Sequence, residues 1–198
     1  MNLPNKITLT RILFIPVFIL VFFLDMIPCN YLIAGIIYAA AAFTDFIDGY
    51  IARSRGLVTN LGKFLDPIAD KVLVSTAMIL LLTMREELGV FFPSASSALY
   101  ITTAVCVCVI MARELIISAF RQIAAARGLV LAAEKLGKYK TVFQDIAVLI
   151  LIVVADFSGW FGQLVYILGL IAFAIATILT IWSGITYVLK NKQVLKDS

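Results

Sequence analysis

Long apolar runs separated by short polar breaks dominate this chain. A helix that crosses a bilayer needs about 20 mostly apolar residues. Six runs approach or exceed that length: residues 10–28, 31–53, 65–84, 98–126, 139–156 and 162–188. The breaks carry residues that end helices. Pro28-Cys29-Asn30 separates the first two runs, Glu86, Glu87 and Pro93 fall in the third connection, and Ser158-Gly159 marks the fifth. Ahead of the first run, Asn2 to Ile7 is short and only partly apolar, which predicts an interfacial segment lying on the membrane surface. The pattern therefore predicts an all-α integral membrane protein with six transmembrane helices and a short N-terminal interfacial segment. Residues 1–198 would form a single membrane domain, without low-complexity tracts or a repeat of useful period. The first run lacks a clear small-residue cleavage site and is followed by further spans, so it reads as a retained helix and not as a signal peptide.

Composition strengthens this reading. Of the 198 residues, 63% are apolar, whereas a soluble domain is nearer half. One small core cannot hide so many apolar side chains, and the excess must face lipid. Lysine and arginine then orient the chain. Lys6, Arg53, Lys63, Lys135, Lys140 and Lys190 are among many basic residues that fall on one side, while the other keeps only Arg85. The positive-inside rule places both termini in the cytoplasm, in agreement with an even number of spans. The same bias would draw anionic headgroups and phosphorylated substrates, although topology alone also produces it.

The chain contains no histidine. That excludes histidine acid–base chemistry, histidine metal ligands and serine–histidine–aspartate triads. Any metal chemistry must rest on carboxylates, which suit hard ions such as Mg²⁺ or Mn²⁺. Cys29, Cys106 and Cys108 form no CxxC pair and no disulfide framework, and read as small buried hydrophobes.

The acids concentrate between Asp45 and Asp70. Asp45 and Asp48 are three residues apart and share a helix face; Asp66 and Asp70 are four apart and do the same. A short polar loop joins the two helices, which makes them antiparallel neighbours with all four acids near their cytoplasmic ends. Four converging anions repel one another, and a carboxylate within a span costs about 2.5–3.5 kcal/mol. Bound divalent cations offset that cost, and four carboxylates can hold two ions that clamp both sides of a phosphoryl displacement. Gly49, Ala52 and Gly62 lie beside the acids, where small residues let a flat base or a phosphate approach the backbone. Helix packing is their blander reading. Arg53 is a candidate phosphate contact. A solvated array of helix-end charges is the plain alternative for the acids, and four at these spacings weigh against it.

Asp45, Asp48, Gly49, Ala52, Arg53, Gly62, Asp66 and Asp70 together resemble the signature of the CDP-alcohol phosphatidyltransferase family, including the eight-residue gap before Gly62. The resemblance implies that Asp45, Asp48 and Asp66 are the principal ligands of Mg²⁺ or Mn²⁺, with two ions bound. It implies that Asp70 both coordinates metal and serves as the base that takes the proton of the attacking hydroxyl. That oxygen would attack the β-phosphorus of a CDP-lipid, and CMP would leave. Asn5, Thr8, Gly49, Ala52, Arg53 and Gly62 would contact the CDP-lipid.

The likeness extends along nearly the whole chain toward one branch of the family, the bacterial phosphatidylglycerophosphate synthases. Pro4-Asn5 with Thr8 and Arg11, Ala112-Arg113-Glu114 with Ser118 and Arg121, and Gly137-Lys138 with Lys140, Thr141 and Gln144 carry it. Trp182-Ser183 and Tyr187 continue it into the last run. The branch implies CDP-diacylglycerol and glycerol 3-phosphate as substrates, a homodimer in the bacterial cytoplasmic membrane, and no nucleic-acid partner. Arg113 lies inside an apolar run, where an unpaired charge is costly, so Glu114, another carboxylate or a ligand phosphate must compensate it. Arg113, Arg121 and Lys138, with Lys140 beside it, are the candidates for holding the acceptor's phosphate, and Lys138 ranks ahead of Lys140 because it follows Gly137. A structural ion pair for Arg113 and positive-inside anchoring for the others are the rival readings. Asp145 is expected to pair with a neighbouring helix, and Asp25 and Asp156 to be solvated at the far interface. Other acceptors remain open, namely serine, inositol phosphate or phosphatidylglycerol. From a different class, a divalent-cation transporter is the alternative, weakened by the placement of all four acids at one membrane face.

Overall fold

A computed structural model describes the backbone of residues 3–55, 60–126, 129 and 135–195, and the side chains of residues 8–44, 68–126, 129, 136–192 and 194. The described residues contain helices and turns and no strand. The helices are α1 (Leu3–Phe22), α2 (Asn30–Arg55), α3 (Asn60–Thr83), α4 (Arg85–Gly89), α5 (Ser96–Ala126), α6 (Lys135–Val153) and α7 (Gly159–Lys190). Short 3₁₀ turns at Pro93–Ala95 and Val154–Asp156 lead into α5 and out of α6. Each apolar run of the sequence falls on one of the six long helices.

The first run departs most from expectation. The helix begins at Leu3, so the predicted interfacial lead-in is continuous with it, and it ends at Phe22, six residues early. Pro4 occupies the first turn, where the missing N–H has no intrahelical partner to lose. At the other end, the Asn30 amide donates to the Phe22 carbonyl at 2.9 Å, closing the turn into α2. Cys29 enters that turn with φ of 56°, an uncommon conformation for a side-chain-bearing residue. It is exposed, as is Cys108, and Cys106 is half-buried, so the expectation of three buried thiols does not hold. Lipid contact costs a thiol little, because it behaves as a small hydrophobe.

Packing follows stripes of three- and four-residue spacing. On α1 the buried positions are Thr8, Arg11, Ile15, Phe18 and Phe22, and they meet Ala34, Tyr38 and Ala41 of α2. On α7 the stripe runs through Gly162, Tyr166, Gly169, Phe173, Ala176, Thr180, Ser183 and Tyr187. That alternation of four and three is a heptad seam, and its small residues let α6 and α5 approach closely. A methyl group at Gly169 would fall 2.8 Å from the Leu151 side chain of α6. The core joins Phe18, Tyr38, Leu73, Met78, Ile110, Leu151 and Phe173 from all six long helices.

The outward surface between the ends of the bundle is apolar, with Leu13, Ile36, Ile79, Ile101, Leu168 and Ile178 all exposed. This is the surface of a membrane protein, since lipid solvates such side chains and water does not. Two segments, Pro93–Ala126 and Gly159–Lys190, are long and apolar enough by themselves to cross a bilayer. Thr8–Phe22 and Asn30–Thr44 are shorter apolar stretches.

Polar side chains gather at the two ends. At one end Tyr31 donates to Glu87 at 3.0 Å, Gln163 to the Phe91 carbonyl at 3.3 Å, and the Leu32 N–H to Asp156 at 2.6 Å. Leu32 is in the first turn of α2, where N–H groups lack helical partners. Asp156 is therefore a cap supplied by the α6–α7 connection and not the merely solvated acid expected. Asp156→Ala should lower the stability of the folded protein by about 1 kcal/mol, read as a lower apparent melting temperature in detergent. An unchanged melting temperature would show that the cap contributes nothing.

Candidate functional site

The opposite end of the bundle holds the candidate residues. Asp45 and Asp48 lie in α2, Asp66 and Asp70 in α3, and the two helices pack against each other. The side chains of Asp45, Asp48 and Asp66 lie outside the described residues, as do Asn5, Gly49, Ala52, Arg53 and Gly62. Among the described residues no three acids or cysteines gather as metal ligands. Thr8 is described and fully buried on α1, one turn before Arg11. Asp70 is half-buried. With Lys71 of α3, Glu114 of α5, and Lys140 and Gln144 of α6, it lines a narrow cleft between the three helices.

The helical period explains which residues of α6 enter that cleft. Lys140, Gln144, Ala147, Val148, Leu151 and Ile152 form its buried face. Residues two apart on a helix are separated by about 200° of arc, so Lys138 and Lys140 cannot both turn inward. Lys140 is 3% exposed, while Lys138 is exposed. The structure thus turns inward the lysine that the sequence reading ranked second.

Glu114 organises the cations. One of its oxygens accepts from Lys140 Nζ at 2.6 Å and from Arg113 at 2.8 Å. Arg113 also donates to Ser183 of α7 at 3.0 Å, and its Nε is buried without a partner among the described residues. The guanidinium crosses α7 at Gly184, where a methyl group would come within 3.0 Å of the Arg113 side chain. Lys71 donates to Ser118, and Ser118 donates to the Glu114 carbonyl at 2.6 Å. Arg113 and Lys140 therefore share one carboxylate, while Lys71 is tied through Ser118 to the backbone of the same residue. Arg121 lies apart on the exposed side of α5, donating Nε–H to the Tyr187 hydroxyl at 3.2 Å with its guanidinium 5.4 Å from the ring centre.

Two further polar pairs flank the cleft. The Tyr38 hydroxyl donates to Asp145 at 3.1 Å, giving Asp145 the interhelical partner expected of it. Asp70 is within electrostatic reach of the same phenol. Arg11 is fully buried and donates to Thr44 at 3.2 Å, immediately before Asp45 in the chain. Lys140 was second to Lys138 for the acceptor's phosphate and Glu114 a possible partner of Arg113, while Arg11, Lys71, Gln144 and Gly184 had no assigned role in the site. The buried face of α6, legible as a period of three and four, would have found Lys140 and Gln144; the contact of Gly184 with Arg113 has no local signal.

Residues 1–182 match the family described as CDP-alcohol phosphatidyltransferase. A protein of Bacillus subtilis (strain 168) is 38% identical over 208 residues, covering 100% of this chain and 98% of that protein. A protein of Escherichia coli (strain K12) is 35% identical over 199 residues, covering 99% of this chain and 98% of that one. A protein of Pseudomonas fluorescens is 37% identical over 193 residues, covering 94% of this chain and 88% of its own. All three are named CDP-diacylglycerol--glycerol-3-phosphate 3-phosphatidyltransferase.

Removing the Glu114 charge leaves two partly buried cations facing each other. Glu114→Gln should destabilise the protein by roughly 3 kcal/mol, and adding Lys140→Met should recover part of that loss. Unfolding in detergent micelles measures both. A Glu114→Gln protein as stable as the parent would mean that the shared carboxylate does not hold the two cations.

Proposed function

The chain belongs to the CDP-alcohol phosphatidyltransferase family, and from that premise we propose that it transfers the phosphatidyl group of CDP-diacylglycerol to sn-glycerol 3-phosphate. The products are phosphatidylglycerophosphate and CMP. The observation that carries this reading is the pairing of a half-buried carboxylate, Asp70, with a buried cation, Lys140, on one cleft. A base and a phosphate-binding charge are what a phosphorylated alcohol requires. The near full-length likeness to relatives named for this activity supports the same acceptor.

The donor set fits a divalent cation. Histidine is absent, and the four acids at the family's signature spacing are aspartates. Asp45 and Asp48 are three residues apart on α2, and Asp66 and Asp70 four apart on α3, spacings at which helical residues are neighbours. Asp45, Asp48, Asp66 and Asp70 would hold Mg²⁺ or Mn²⁺, as one ion or two. Such an ion supplies Lewis acidity to a diphosphate and neutralises the charge of the departing CMP.

The chain's own residues would do the rest. Lys140, Lys71 and Arg113 draw the acceptor's phosphate into the cleft and fix its orientation. Arg121 and Lys138, outside the cleft, attract anions toward its mouth. Asp70 takes the proton of the primary hydroxyl as its oxygen forms a bond to the β-phosphorus. The bond from that phosphorus to the bridging oxygen breaks, and CMP departs with the electron pair. Asn5, Thr8, Gly49, Ala52, Arg53 and Gly62 would contact the CDP-lipid. The six long helices cross the bilayer, with both termini and the cleft on the cytoplasmic side, and two copies form a homodimer.

Membranes holding the protein should release CMP from CDP-diacylglycerol in the presence of a divalent cation, and should label lipid from glycerol 3-phosphate in preference to serine or inositol phosphate. Asp70→Asn should lower kcat by about 10²–10⁴ with the protein still inserted. Preference for serine would reject the acceptor, and turnover within a few-fold of wild type would remove Asp70 from the role of base.

A further inference from the structure

Gln144 is 2% exposed, and its amide oxygen has no hydrogen-bond partner among the described residues. Its amide nitrogen reaches the Met78 sulfur at 3.9 Å. A thioether is a weak acceptor, so the nitrogen belongs on that side. Turning the amide over would set two electron-rich atoms against each other. The oxygen is thus an orphaned acceptor on a side chain that lines the cleft of Asp70, Lys71 and Lys140. Buried amides are paired in nearly all native structures, and an exception calls for a ligand, an ion or a water.

The cleft already divides its chemistry. Lys71 and Lys140 are positive, Asp70 is an acid, and Gln144 is a neutral acceptor one turn beyond Lys140 on α6. Under the reading proposed above, on which this inference rests, the cations take a phosphate and Asp70 takes the reacting hydroxyl. A phosphorylated diol has a third feature, a hydroxyl on the carbon between those two groups. We propose that Gln144 Oε1 accepts a hydrogen bond from that non-reacting hydroxyl, and that Gln144 is thereby a specificity-determining residue for the acceptor. A carbonyl at the middle carbon would oppose the amide oxygen, whereas a hydroxyl donates to it. The site therefore selects a vicinal hydroxyl beside the reacting one. A site built to bond a hydroxyl rejects the analogue that lacks it, because the protein's own buried group is then left unpaired.

The experiment compares sn-glycerol 3-phosphate with 3-hydroxypropyl phosphate, which lacks the middle hydroxyl, using the intact protein in membranes. Wild type should prefer glycerol 3-phosphate by about tenfold or more in kcat/KM. Gln144→Met keeps the volume and removes the acceptor. It should narrow the preference to within about twofold, while turnover of 3-hydroxypropyl phosphate stays within a few-fold of wild type. Gln144→Glu keeps an acceptor at the same reach and should retain a preference of several-fold. Equal use of the two alcohols by wild type overturns the proposal, whether or not either variant accumulates. An undiminished preference in Gln144→Met overturns it as well. Equal loss on both alcohols assigns Gln144 to packing alone and does the same. A wild-type protein that uses neither phosphorylated alcohol, yet accepts an unphosphorylated one, rejects the parent reading of the cleft and this inference with it.

Discussion

A charge placed inside an apolar helix bundle must find its partner within the bundle, because lipid offers none. The buried polar network among the described residues follows from that constraint. Arg113, Lys140 and Lys71 sit on three different helices, and none could stay inside alone. The Glu114 carboxylate and the Ser118 and Ser183 hydroxyls bind them into one network. That network ties α3, α5, α6 and α7 together at one end, as Asp156, Tyr31 and Glu87 tie α2, α4 and the α6–α7 turn at the other. Between the ends, stripes of small and apolar residues do the packing.

The network concentrates charge of both signs at one cleft. The Glu114 carboxylate faces two cations directly, Lys71 reaches Ser118, and Asp70 lines the same cleft. Buried charges are costly in a closed core, yet they are useful beside an opening that admits a charged ligand. The buried Arg113 Nε points the same way: it has no partner among the described residues, so the guanidinium has donor capacity that they do not use. Stability and ligand chemistry therefore draw on the same side chains.

Much of the fold was legible because span length and apolar content are read directly from the chain. Each of the six runs falls on a long helix, and the breaks at Pro28-Cys29-Asn30 and Ser158-Gly159 mark helix starts, with Asn30 opening α2 and Gly159 opening α7. The first boundary failed for a physical reason. Residues 23–28 are apolar enough to continue α1, but the Asn30 amide captures the Phe22 carbonyl and turns the chain. Hydropathy contains no term for such a contact. The heptad seam of α7 escaped a search for repeats because its positions hold glycine, tyrosine, phenylalanine, alanine, threonine and serine; their spacing recurs and their identities do not. Asp156 looked solvated for the same kind of reason, since the N–H it caps is 124 residues away in the chain.

The chemistry was legible where a motif is local and obscure where it is assembled. The spacing of Asp45, Asp48, Asp66 and Asp70 pointed to the family without any fold, and the family match across residues 1–182 agrees. The basic residues were harder. In the sequence Lys138 and Lys140 are nearly equivalent, and following a glycine gave Lys138 a slender advantage. Facing direction separates them, because α6 buries Lys140 with Gln144 one turn on and leaves Lys138 outside. Gly184 presents the opposite case. Nothing near it in the chain marks a role, yet the absence of its side chain is what lets Arg113 lie across α7 and meet Ser183. A cation that must be buried, aimed and still available needs space as well as a counter-charge, and in this bundle the space comes from one helix while the counter-charge comes from another.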